Sequence, residues 1–272
     1  MKKIILTLAA TLCAVAAFAQ GANSHGVAIV AHRGFWNSAY GEGGTNSLAS
    51  LKAAQMAGFW GTEFDVNMTK DKELIVFHDG GVKGMNFCDH DWADFKDIRI
   101  ENGEPIPTLD QYLEQAAKCK KTRLVFELKW HPDAMMEEAV DRSIDALKAH
   151  GLFDPKQVIF ISFSLRQCEL LAQKAPGFTV QYLHYDITPD EVFAHGINGS
   201  DMLFTKFYEH PEWYEMCRKN GMSVNVWTVD NVKDIKRLIE MGVDQITTNN
   251  PEKAREVLKR LGVKEIKAGK DL

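Results

Sequence analysis

Eight short runs rich in β-branched and aromatic residues recur along the chain and mostly alternate with amphipathic stretches of helical period. Runs of this composition, bounded by Gly, Pro, Asp or Asn, are typical of buried strands. The eight runs are Val27–His32, Thr62–Asn67, Leu124–Lys129, Val158–Phe163, Thr179–His184, Met202–Lys206, Val224–Thr228 and Gln245–Thr248. Eight strands with intervening helices in about 250 residues predict a TIM-type (β/α)8 barrel. A doubly wound open sheet is the alternative, but no G-x-G-x-x-G motif follows the first run.

Two of the intervening helices have recognisable ends. Asn46 is expected to cap a helix whose apolar face carries Leu48 and Leu51, and Gly58 should end this helix. A second helix has apolar residues at helical spacing and should end at Gly242. Its apolar face is formed by Val232, Ile235, Leu238 and Ile239.

One strand-like run, Leu74–Asp79, breaks the alternation because it follows the second run after only a few residues. A gap that short cannot hold a helical crossover, so the two runs should form an antiparallel hairpin. A turn over Lys70–Glu73 that pairs its first and last residues would place Asp65 opposite His78. The next residues, Gly80–Thr108, contain no convincing strand and are expected to form a short insertion.

The amino terminus has the pattern of a secretory signal peptide. Two lysines precede an apolar run, and Ala17-Phe18-Ala19 has the A-x-A form of a cleavage site. The predicted organisation is therefore a signal peptide at 1–19 and one barrel domain at 20–272, exported to the periplasm or the extracellular space. A lipid anchor on Cys13 is a weaker alternative, because Leu12 is larger than the residue that such sites prefer.

Charge and hydropathy exclude several classes of partner. The chain has 32 Lys and Arg against 37 Asp and Glu, and removal of the signal peptide changes its net charge from −5 to −7. This acidic balance, without a basic cluster, argues against a nucleic-acid partner. No apolar run after residue 19 approaches the roughly 20 residues of a membrane-spanning helix. A small-molecule partner is expected, and the oligomeric state is left open.

Four cysteines, Cys88, Cys119, Cys168 and Cys217, follow the predicted cleavage site. They are widely spaced and none forms a C-x-x-C motif, which disfavours a zinc site. Export permits disulfides. We favour the interpretation that these residues are small buried apolar side chains, and any pairing is left open.

His32-Arg33-Gly34 ends the first predicted strand, and the carboxyl ends of barrel strands face the active site. Arg33 offers a planar fork to phosphate oxygens, and His32 titrates near neutral pH. Gly34 allows the backbone to turn sharply. The tripeptide is a weak signal alone, because an isolated His-Arg pair is more often a surface feature.

Glu63 and Asp65 are two residues apart in the second predicted strand and therefore project from the same face. Two carboxylates on an inward face repel each other and lose solvation, and a divalent cation removes both penalties. Oxygen ligands favour Ca²⁺ or Mg²⁺ over softer metals. The alternative is a solvent-facing strand on which both acids are hydrated.

Other polar and aromatic side chains occupy further predicted strand ends. His78 ends the hairpin, followed by Asp79, which can support the charge of the imidazole. Glu127 and Lys129 repeat the two-residue spacing and suit a third metal ligand with a phosphate-binding cation, the alternative being a buried ion pair. Trp227 can form a wall for a substrate, or it can belong to the core.

Taken in order, these motifs resemble those of the glycerophosphodiester phosphodiesterase family across nearly the whole chain after residue 19. The matching segments are Ala31-His32-Arg33-Gly34, Glu63-Phe64-Asp65-Val66, Thr69-Lys70-Asp71, His78-Asp79, Pro107-Thr108-Leu109, Phe126-Glu127-Leu128-Lys129, Ser162-Phe163-Ser164, Val226-Trp227-Thr228-Val229-Asp230 and Gly242-Val243-Asp244. The combination is far more specific than any one of its parts.

The resemblance implies a barrel with a bound divalent cation, Ca²⁺ or Mg²⁺. It implies hydrolysis of glycerophosphodiesters to sn-glycerol 3-phosphate and an alcohol, by way of a cyclic phosphate. By position, it implies that His32 and His78 are the paired acid/base residues. The remaining implied roles are metal ligation by Glu63, Asp65 and Glu127, and phosphate contact by Arg33 and Lys129.

The chain departs from the family in the loop before the first helix. The family usually has Glu-Asn there, whereas this chain has Thr45-Asn46 after Gly41-Glu42-Gly43-Gly44. Glu42 is a candidate substitute if the glycine-rich loop folds back. The departure concerns head-group preference, which the sequence leaves open, more than the reaction.

Two other functions agree with part of the pattern. A phospholipase of the spider-venom sphingomyelinase type shares the Glu-x-Asp and two-histidine arrangement, but it needs access to a membrane surface, and the sequence has no obvious docking patch. A non-catalytic protein that binds phosphorylated glycerol compounds would agree with the missing Glu before Asn46. It would not explain the full set of histidine, acidic and lysine residues.

Overall fold

The computed structural model describes residues 26–272, so the predicted signal peptide at 1–19 lies outside the described residues. The strands in this range are β1 (Val27–Ala31), β2 (Gly61–Met68), β3 (Leu74–Val76), β4 (Gly81–Val82), β5 (Met85–Asn86), β6 (Arg123–Leu128), β7 (Val158–Ser162), β8 (Thr179–Tyr182), β9 (Gly199–Leu203), β10 (Ser223–Trp227), β11 (Gln245–Thr248) and β12 (Glu265–Ile266). The helices in the same range are α1 (Leu48–Ala57), α2 (Leu109–Ala117), α3 (Asp133–Ala149), α4 (Leu165–Lys174), α5 (Pro189–Ala194), α6 (Thr205–Glu209), α7 (Pro211–Lys219), α8 (Val232–Met241) and α9 (Pro251–Leu261).

Eight parallel strands close into a barrel in the order β1-β2-β6-β7-β8-β9-β10-β11, and β11 pairs with β1 to complete the ring. Helices connect the successive strands of the barrel and cover its outside. This confirms the predicted TIM-type barrel. The carboxyl ends of all eight strands lie at one end of the barrel, which we call the mouth.

The buried apolar residues of the strands belong to two clusters, and residues at alternate positions of a strand belong to different ones. Val30, Val125 and Ile161 belong to a buried cluster inside the barrel, whereas Phe64 and Phe126 belong to the larger cluster between the strands and the helices. Successive residues of a strand point to opposite faces, which explains the division. The strand ends at the mouth are thereby left for polar side chains.

The first helix is capped by Ser47 rather than by Asn46, so the predicted cap is wrong by one residue. The Ser47 hydroxyl accepts from the Ser50 backbone N–H at 2.9 Å, and the Ser50 hydroxyl accepts from the Ser47 backbone N–H at 3.1 Å. Asn46 instead has a positive φ of 57°, and its side chain points away from the helix end. Gly58 ends α1 in the left-handed conformation, as predicted.

The predicted end of α8 is confirmed, because Gly242 caps it with a φ of 92°. Ile235, Leu238 and Ile239 are buried, and Val232 at the first turn is half exposed. The strand predicted at Met202–Lys206 is shifted, since β9 begins at the polar residues before Met202 and ends at Leu203. Lys206 lies in α6 instead.

The hairpin between β2 and β3 forms as predicted, but its register differs by one residue. The backbone N–H of Phe77 donates to the carbonyl of Asp65 at 3.0 Å, so Asp65 lies opposite Phe77 and not opposite His78. The placement of His78 therefore does not follow from strand pairing.

The turn between these strands explains the difference. It has three residues instead of two, because Lys72 adopts the left-handed conformation with a φ of 71° and the Thr69 backbone N–H donates to Glu73 at 2.9 Å. A three-residue hairpin loop of this type ends in a left-handed residue. The Asp71 carboxylate fixes the loop by accepting from the Thr69 hydroxyl and from the Trp92 backbone N–H.

The segment Gly80–Thr108 forms the predicted insertion and has its own small apolar cluster. That cluster joins Ile75 of β3 to five residues of the insertion, namely Phe87, Phe95, Ile98, Ile100 and Ile106. A second antiparallel hairpin, β4 with β5, was not predicted, because its strands have only two residues each. The insertion closes over one side of the β2–β3 hairpin.

Two further expectations concern the whole of the described range. Its four cysteines are free. Cys168 and Cys217 are buried, as predicted, whereas Cys88 and Cys119 are only half-buried. Among residues 26–272, no helix combines the length and the apolar character that crossing a membrane requires.

Candidate active site

Three carboxylates meet inside the barrel near its mouth. Glu63 and Asp65 project from β2, and Glu127 projects from β6, where it is paired in register with Asp65. All three are buried, and each offers an oxygen within 4.8 Å of the others. The solvent-facing alternative for the first two acids is therefore wrong.

The negative charges of the three carboxylates repel one another. Burial, together with the charges of Asp65 and Glu127, raises the pKa of Glu63 well above its ordinary value. Burial and Asp65 raise the pKa of Glu127 to about 7. Glu63 Oε1 is buried and has no hydrogen-bond partner within residues 26–272. A hard divalent cation would satisfy this oxygen and offset the repulsion, so the donor set fits Ca²⁺ or Mg²⁺.

The carboxylate of Asp65 is held in place by neighbouring side chains. Asn46 Nδ2 donates to its Oδ2 at 2.8 Å, and Lys129 Nζ lies 3.2 Å from its Oδ1. Burial opposes ionisation, but Lys129, the Asn46 hydrogen bond and the nearby Arg33 hold the pKa of Asp65 below its ordinary value. Asp65 thus stays negatively charged in the interior.

Lys129 follows the end of β6 and sits between two carboxylates. Its Nζ is 2.7 Å from Glu127 Oε1 in addition to the contact with Asp65. Burial disfavours the ammonium, but Glu127 and Asp65 together raise the pKa of Lys129 above its ordinary value. The buried ion pair is present. The Lys129 ammonium also lies beside the cavity that is described below.

Arg33 is placed by an unusual backbone conformation after β1. Its φ is 55°, and its backbone N–H donates to Glu63 Oε2 at 2.7 Å. Gly34 follows with a φ of 81°, and a Cβ there would lie 2.3 Å from the Ser50 hydroxyl, so only glycine fits. The Arg33 guanidinium reaches toward Asp65, with Nε 3.8 Å from Oδ2.

His32 has a hydrogen bond on one ring nitrogen and a carboxylate near the other. Its Nδ1 is 2.8 Å from Asn249 Oδ1, and its Nε2 is 3.9 Å from Glu63 Oε2. Burial and the charge of Arg33 lower the pKa of His32 to about 4. The ring is therefore neutral near physiological pH.

His78 lies just beyond β3 and lines the same cavity as His32. Its Nδ1 is 2.7 Å from Asp79 Oδ1, which confirms the predicted pairing of these neighbours. Burial lowers the pKa of His78, although the charge of Asp65 acts in the opposite direction. Both histidines thus approach the carboxylate cluster from different strands.

The cavity between these groups has a volume of about 100 Å³. One side is polar and the other is apolar, with Phe163 and Trp227 in a T-shaped contact at 5.6 Å between ring centroids. The Trp227 indole N–H donates to the backbone carbonyl of Asp201 at 3.0 Å, which fixes the ring at the rim. The lining of the cavity is formed by His32, Arg33, Glu63, His78, Glu127, Ile161, Phe163, Leu183, Asp201, Trp227, Thr228 and Thr247.

All eight residues proposed from the sequence are brought together here, since Asp65 and Lys129 contact residues of that lining. Sequence reasoning missed Asp201, which is buried in the cavity and accepts from Asn225 Nδ2 at 3.0 Å. Burial and the charge of Glu127 raise its pKa well above the ordinary value. Asp201 lies in the polar first part of β9, which the strand pattern did not include. Its partner Asn225 is on the next strand, so no local motif marks the pair.

The loop that departs from the family does not supply a replacement acid. Glu42 is exposed and is absent from the described lining of the cavity. Its backbone has a φ of 51° and lies within a turn of the loop. Asn46 keeps a function in this loop through its hydrogen bonds to Asp65.

Comparisons with known proteins agree with this arrangement. The chain is 28% identical over 256 residues to a glycerophosphodiester phosphodiesterase of Caldanaerobacter subterraneus subsp. tengcongensis, covering 86% of this chain and 98% of that protein. A glycerophosphodiester phosphodiesterase structure from Parabacteroides distasonis is 36% identical, with a TM-score of 0.83 over 87% of this chain and 98% of that one.

A phosphodiesterase from Oleispira antarctica, solved with its product sn-glycerol-3-phosphate, has the same fold. It is 21% identical, with a TM-score of 0.73, and the match covers 88% of this chain and 99% of that one. The sequence model described as the glycerophosphoryl diester phosphodiesterase family matches residues 32–253, which include all eight proposed site residues. The chain therefore belongs to the glycerophosphoryl diester phosphodiesterase family, a family of phosphoric diester hydrolases.

Proposed function

We propose that the protein hydrolyses glycerophosphodiesters to sn-glycerol 3-phosphate and an alcohol, with the help of one divalent cation. The observation that carries this proposal is the buried cluster of Glu63, Asp65 and Glu127 beside a cavity that His32 and His78 both line. The product held by the Oleispira antarctica relative supports the same product here. A small molecule is thus the proposed partner.

Glu63, Asp65 and Glu127 would hold the cation, which we propose to be Ca²⁺ or Mg²⁺. When bound, such an ion supplies Lewis acidity and a template for a phosphoryl oxygen. The fit rests on the oxygen donors and on the unsatisfied buried oxygen of Glu63. Ionised carboxylates are required for this role, and the cation would keep them so.

Arg33 and Lys129 are the proposed contacts of the substrate phosphate. A phosphodiester carries a negative charge that repels nucleophiles, and the charge on its equatorial oxygens grows during displacement. A guanidinium and an ammonium fixed at the rim of the cavity complement this charge without reorganising. Contacts with Asp65 and Glu127 hold the Lys129 ammonium in place.

His32 and His78 are the proposed proton carriers. His32 removes the proton from the glycerol hydroxyl next to the phosphate, and the hydroxyl oxygen forms a bond to phosphorus. The bond from phosphorus to the head-group oxygen breaks, and His78 protonates that oxygen. Water then opens the resulting cyclic phosphate with the two histidine roles reversed, which yields sn-glycerol 3-phosphate.

The environments of the two rings support this order. His32 is neutral, and its Nδ1 partner is the uncharged amide of Asn249. His78 has the carboxylate of Asp79 at Nδ1, which favours the protonated ring that an acid requires and opposes the lowering of the His78 pKa by burial. A neutral base and a protonated acid are the starting states that the first step requires. Trp227 with Phe163 would form the apolar wall against which the substrate carbon atoms pack.

We also propose that residues 1–19 are a signal peptide and that the barrel domain at 20–272 is exported to the periplasm or the extracellular space. The basic head, apolar run and A-x-A site support the proposal. Mass spectrometry of the exported protein is expected to give an amino terminus at Gln20. An intact amino terminus on the exported protein would contradict it.

The first experiment on the activity measures glycerol 3-phosphate release from glycerophosphocholine with Ca²⁺, with Mg²⁺ and with chelator. We expect release that depends on one of the metals and that is lost in Glu63→Ala. Phosphorus NMR of the product distinguishes full hydrolysis from arrest at the cyclic phosphate. Binding of glycerophosphocholine without turnover in the presence of either metal would contradict the proposed function.

A further inference from the structure

Asn249 lies between the proposed base and a carboxylate that the proposed reaction does not use. It follows β11, and its Oδ1 is 2.8 Å from His32 Nδ1. Its Nδ2 donates to Asp230 Oδ2 at 2.8 Å, and its backbone N–H donates to Asp230 Oδ1 at 2.8 Å. Asp230, Asn249 and His32 therefore form a continuous chain of hydrogen bonds that ends at the cavity.

The chemistry of Asp230 determines which way the Asn249 amide faces. An ionised carboxylate only accepts hydrogen bonds, so the amide must present its NH₂ group to Asp230. Burial opposes ionisation of Asp230, but the hydrogen bonds from Asn249 and Thr248 hold its pKa below the ordinary value. The Thr248 hydroxyl donates to Asp230 Oδ1 at 3.0 Å and leaves Oδ2 to the amide.

The orientation of the amide in turn determines where the proton of neutral His32 resides. The carbonyl oxygen of an amide only accepts, so Nδ1 must carry the hydrogen and Nε2 must carry the lone pair. Trp36 provides an independent check, because its indole N–H also donates to Asn249 Oδ1, at 3.3 Å. A flipped amide would place its NH₂ group against the Trp36 indole N–H, which can only donate.

We propose that Asp230 and Asn249 are positioning residues that hold His32 in the tautomer protonated at Nδ1, with Nε2 free to accept a proton. Nε2 is the nitrogen on the side of Glu63 and the cavity. This inference rests on the proposed function for the role of His32 as a base. The tautomer itself is a property of the resting protein and can be observed without turnover.

The Asp230→Asn variant provides the sharpest test. The carbonyl of the amide introduced at position 230 can keep the bonds from Thr248 and from the Asn249 backbone, but its NH₂ group then faces the NH₂ group of Asn249. The Asn249 amide is expected to flip and to present a donor to His32, which shifts the proton to Nε2. We expect kcat to fall on the order of 100-fold with KM changed less than about threefold, because general-base catalysis is lost and binding is retained.

Nitrogen NMR of the protein labelled with ¹⁵N-histidine reads the tautomer directly. Wild-type His32, assigned by its loss in His32→Gln, is expected to have a protonated Nδ1 and an unprotonated Nε2 in the neutral ring. In Asp230→Asn the two signals should exchange character. A variant that keeps both the wild-type tautomer and the wild-type kcat would overturn the proposal.

Exchange of the two residues tests the same inference by rescue. In the double variant Asp230→Asn, Asn249→Asp, the amide introduced at position 230 donates to the carboxylate introduced at position 249, which still accepts from His32 Nδ1. The double variant is expected to restore the tautomer and to recover at least about tenfold of the lost kcat, because the two positions are coupled. A folded double variant with an Nε2-protonated ring and no recovery would contradict the inference.

A control pair is available outside the cavity. Asn220 Nδ2 donates to the carboxylate of Asp190, and neither residue belongs to the described lining of the cavity. Asp190→Asn makes the same change from carboxylate to amide opposite an asparagine side chain and is expected to leave both kcat and the His32 tautomer unchanged. Failure of the wild type to hydrolyse glycerophosphocholine would count against the proposed function alone, because the tautomer measurement needs no turnover.

Discussion

The side-chain amide of Asn46 contacts Asp65 at two points. Its Nδ2 donates to Oδ2 of the carboxylate at 2.8 Å, and its Oδ1 accepts the backbone N–H of Asp65 at 3.1 Å. The loop before α1 and the strand that carries the proposed metal ligands are therefore one unit. This relationship explains why a loop residue with a positive φ is buried at the barrel mouth.

Asn46→Ala is expected to weaken binding of Ca²⁺ or Mg²⁺ by about 10- to 100-fold, because a ligand that loses its orienting partner must be ordered by the metal itself. Isothermal titration calorimetry measures the change. Asn198→Ala is the matched control, since Asn198 also makes two hydrogen bonds, to Val180 and Phe178, but lies away from the cluster. Equal metal affinity in the two variants would contradict the role assigned to Asn46.

Lys129→Met is expected to change metal binding and turnover in opposite directions. Removal of the ammonium takes away the positive charge between Asp65 and Glu127 that competes with the metal, so at a pH of about 8 the divalent metal should bind about tenfold more tightly. The phosphate loses a fixed positive charge, so kcat/KM should fall on the order of 100-fold or more. Calorimetry and product release give the two quantities.

The control for this variant is Lys174→Met. Lys174 Nζ also lies between two carboxylates, 2.6 Å from Asp141 and 2.9 Å from Glu137, but on the outer helices. We expect neither quantity to change in it. Parallel losses of metal affinity and turnover in Lys129→Met would indicate that Lys129 only supports the structure.

The buried ring of His131 is expected to make the folded protein less stable at acidic pH. It is fully buried, and its Nε2 accepts from the Met68 backbone N–H at 2.9 Å, so the ring is neutral. Burial lowers the pKa of His131 to about 4 from 6.5. The unfolded chain binds the proton first, so this contribution to stability is full above pH 6.5 and is lost as the pH falls toward 4. Its size is about 3 kcal/mol.

Urea unfolding of wild type and His131→Gln at pH values of about 7.5 and about 4.5 isolates this contribution. Glutamine can still accept from Met68 but does not titrate, and the carboxylate cluster is common to both proteins and cancels. The wild type should lose about 2 to 3 kcal/mol more than the variant between the two pH values. Equal losses would show that His131 is protonated or solvated in the folded protein.

The sequence was sufficient to predict the parts of the site that follow from strand period and strand ends. Glu63 and Asp65 share a face because side chains alternate, and Glu127 meets them because β6 is next to β2. Residues placed at strand ends in the sequence therefore meet at one mouth once the barrel closes. The fold and the proposed ligand cluster depend on these rules alone.

The sequence was not sufficient for residues whose partners are distant in the chain. Asn249 lies 217 residues from His32, and its contact depends on β11 returning to β1 at closure. The sequence predicts Asn46 as a helix cap because Asx residues are common there, but the neighbouring Ser47 occupies that position. The one-residue register difference at His78 comes from a left-handed Lys72, a conformation that β-hairpin patterns do not reveal.

The roles of His32 and His78 can be separated by the leaving group. An alkoxide from a choline or glycerol head group is a poor leaving group and needs a proton, whereas p-nitrophenolate leaves without one. His78→Ala should therefore lower kcat/KM on glycerophosphocholine on the order of 1,000-fold and on the p-nitrophenyl ester of glycerol phosphate less than about tenfold.

The His32→Ala variant is the comparison that distinguishes the base from the acid. A base that activates the attacking hydroxyl is required whichever group leaves, so this variant should lose activity on both substrates by a similar factor of about 100 or more. Steady-state kinetics of both variants on both substrates, with metal at saturation, provides the four values. If His32→Ala instead were the variant rescued by the good leaving group, the two roles would have to be exchanged, and the Asn249–Asp230 pair would then orient the acid.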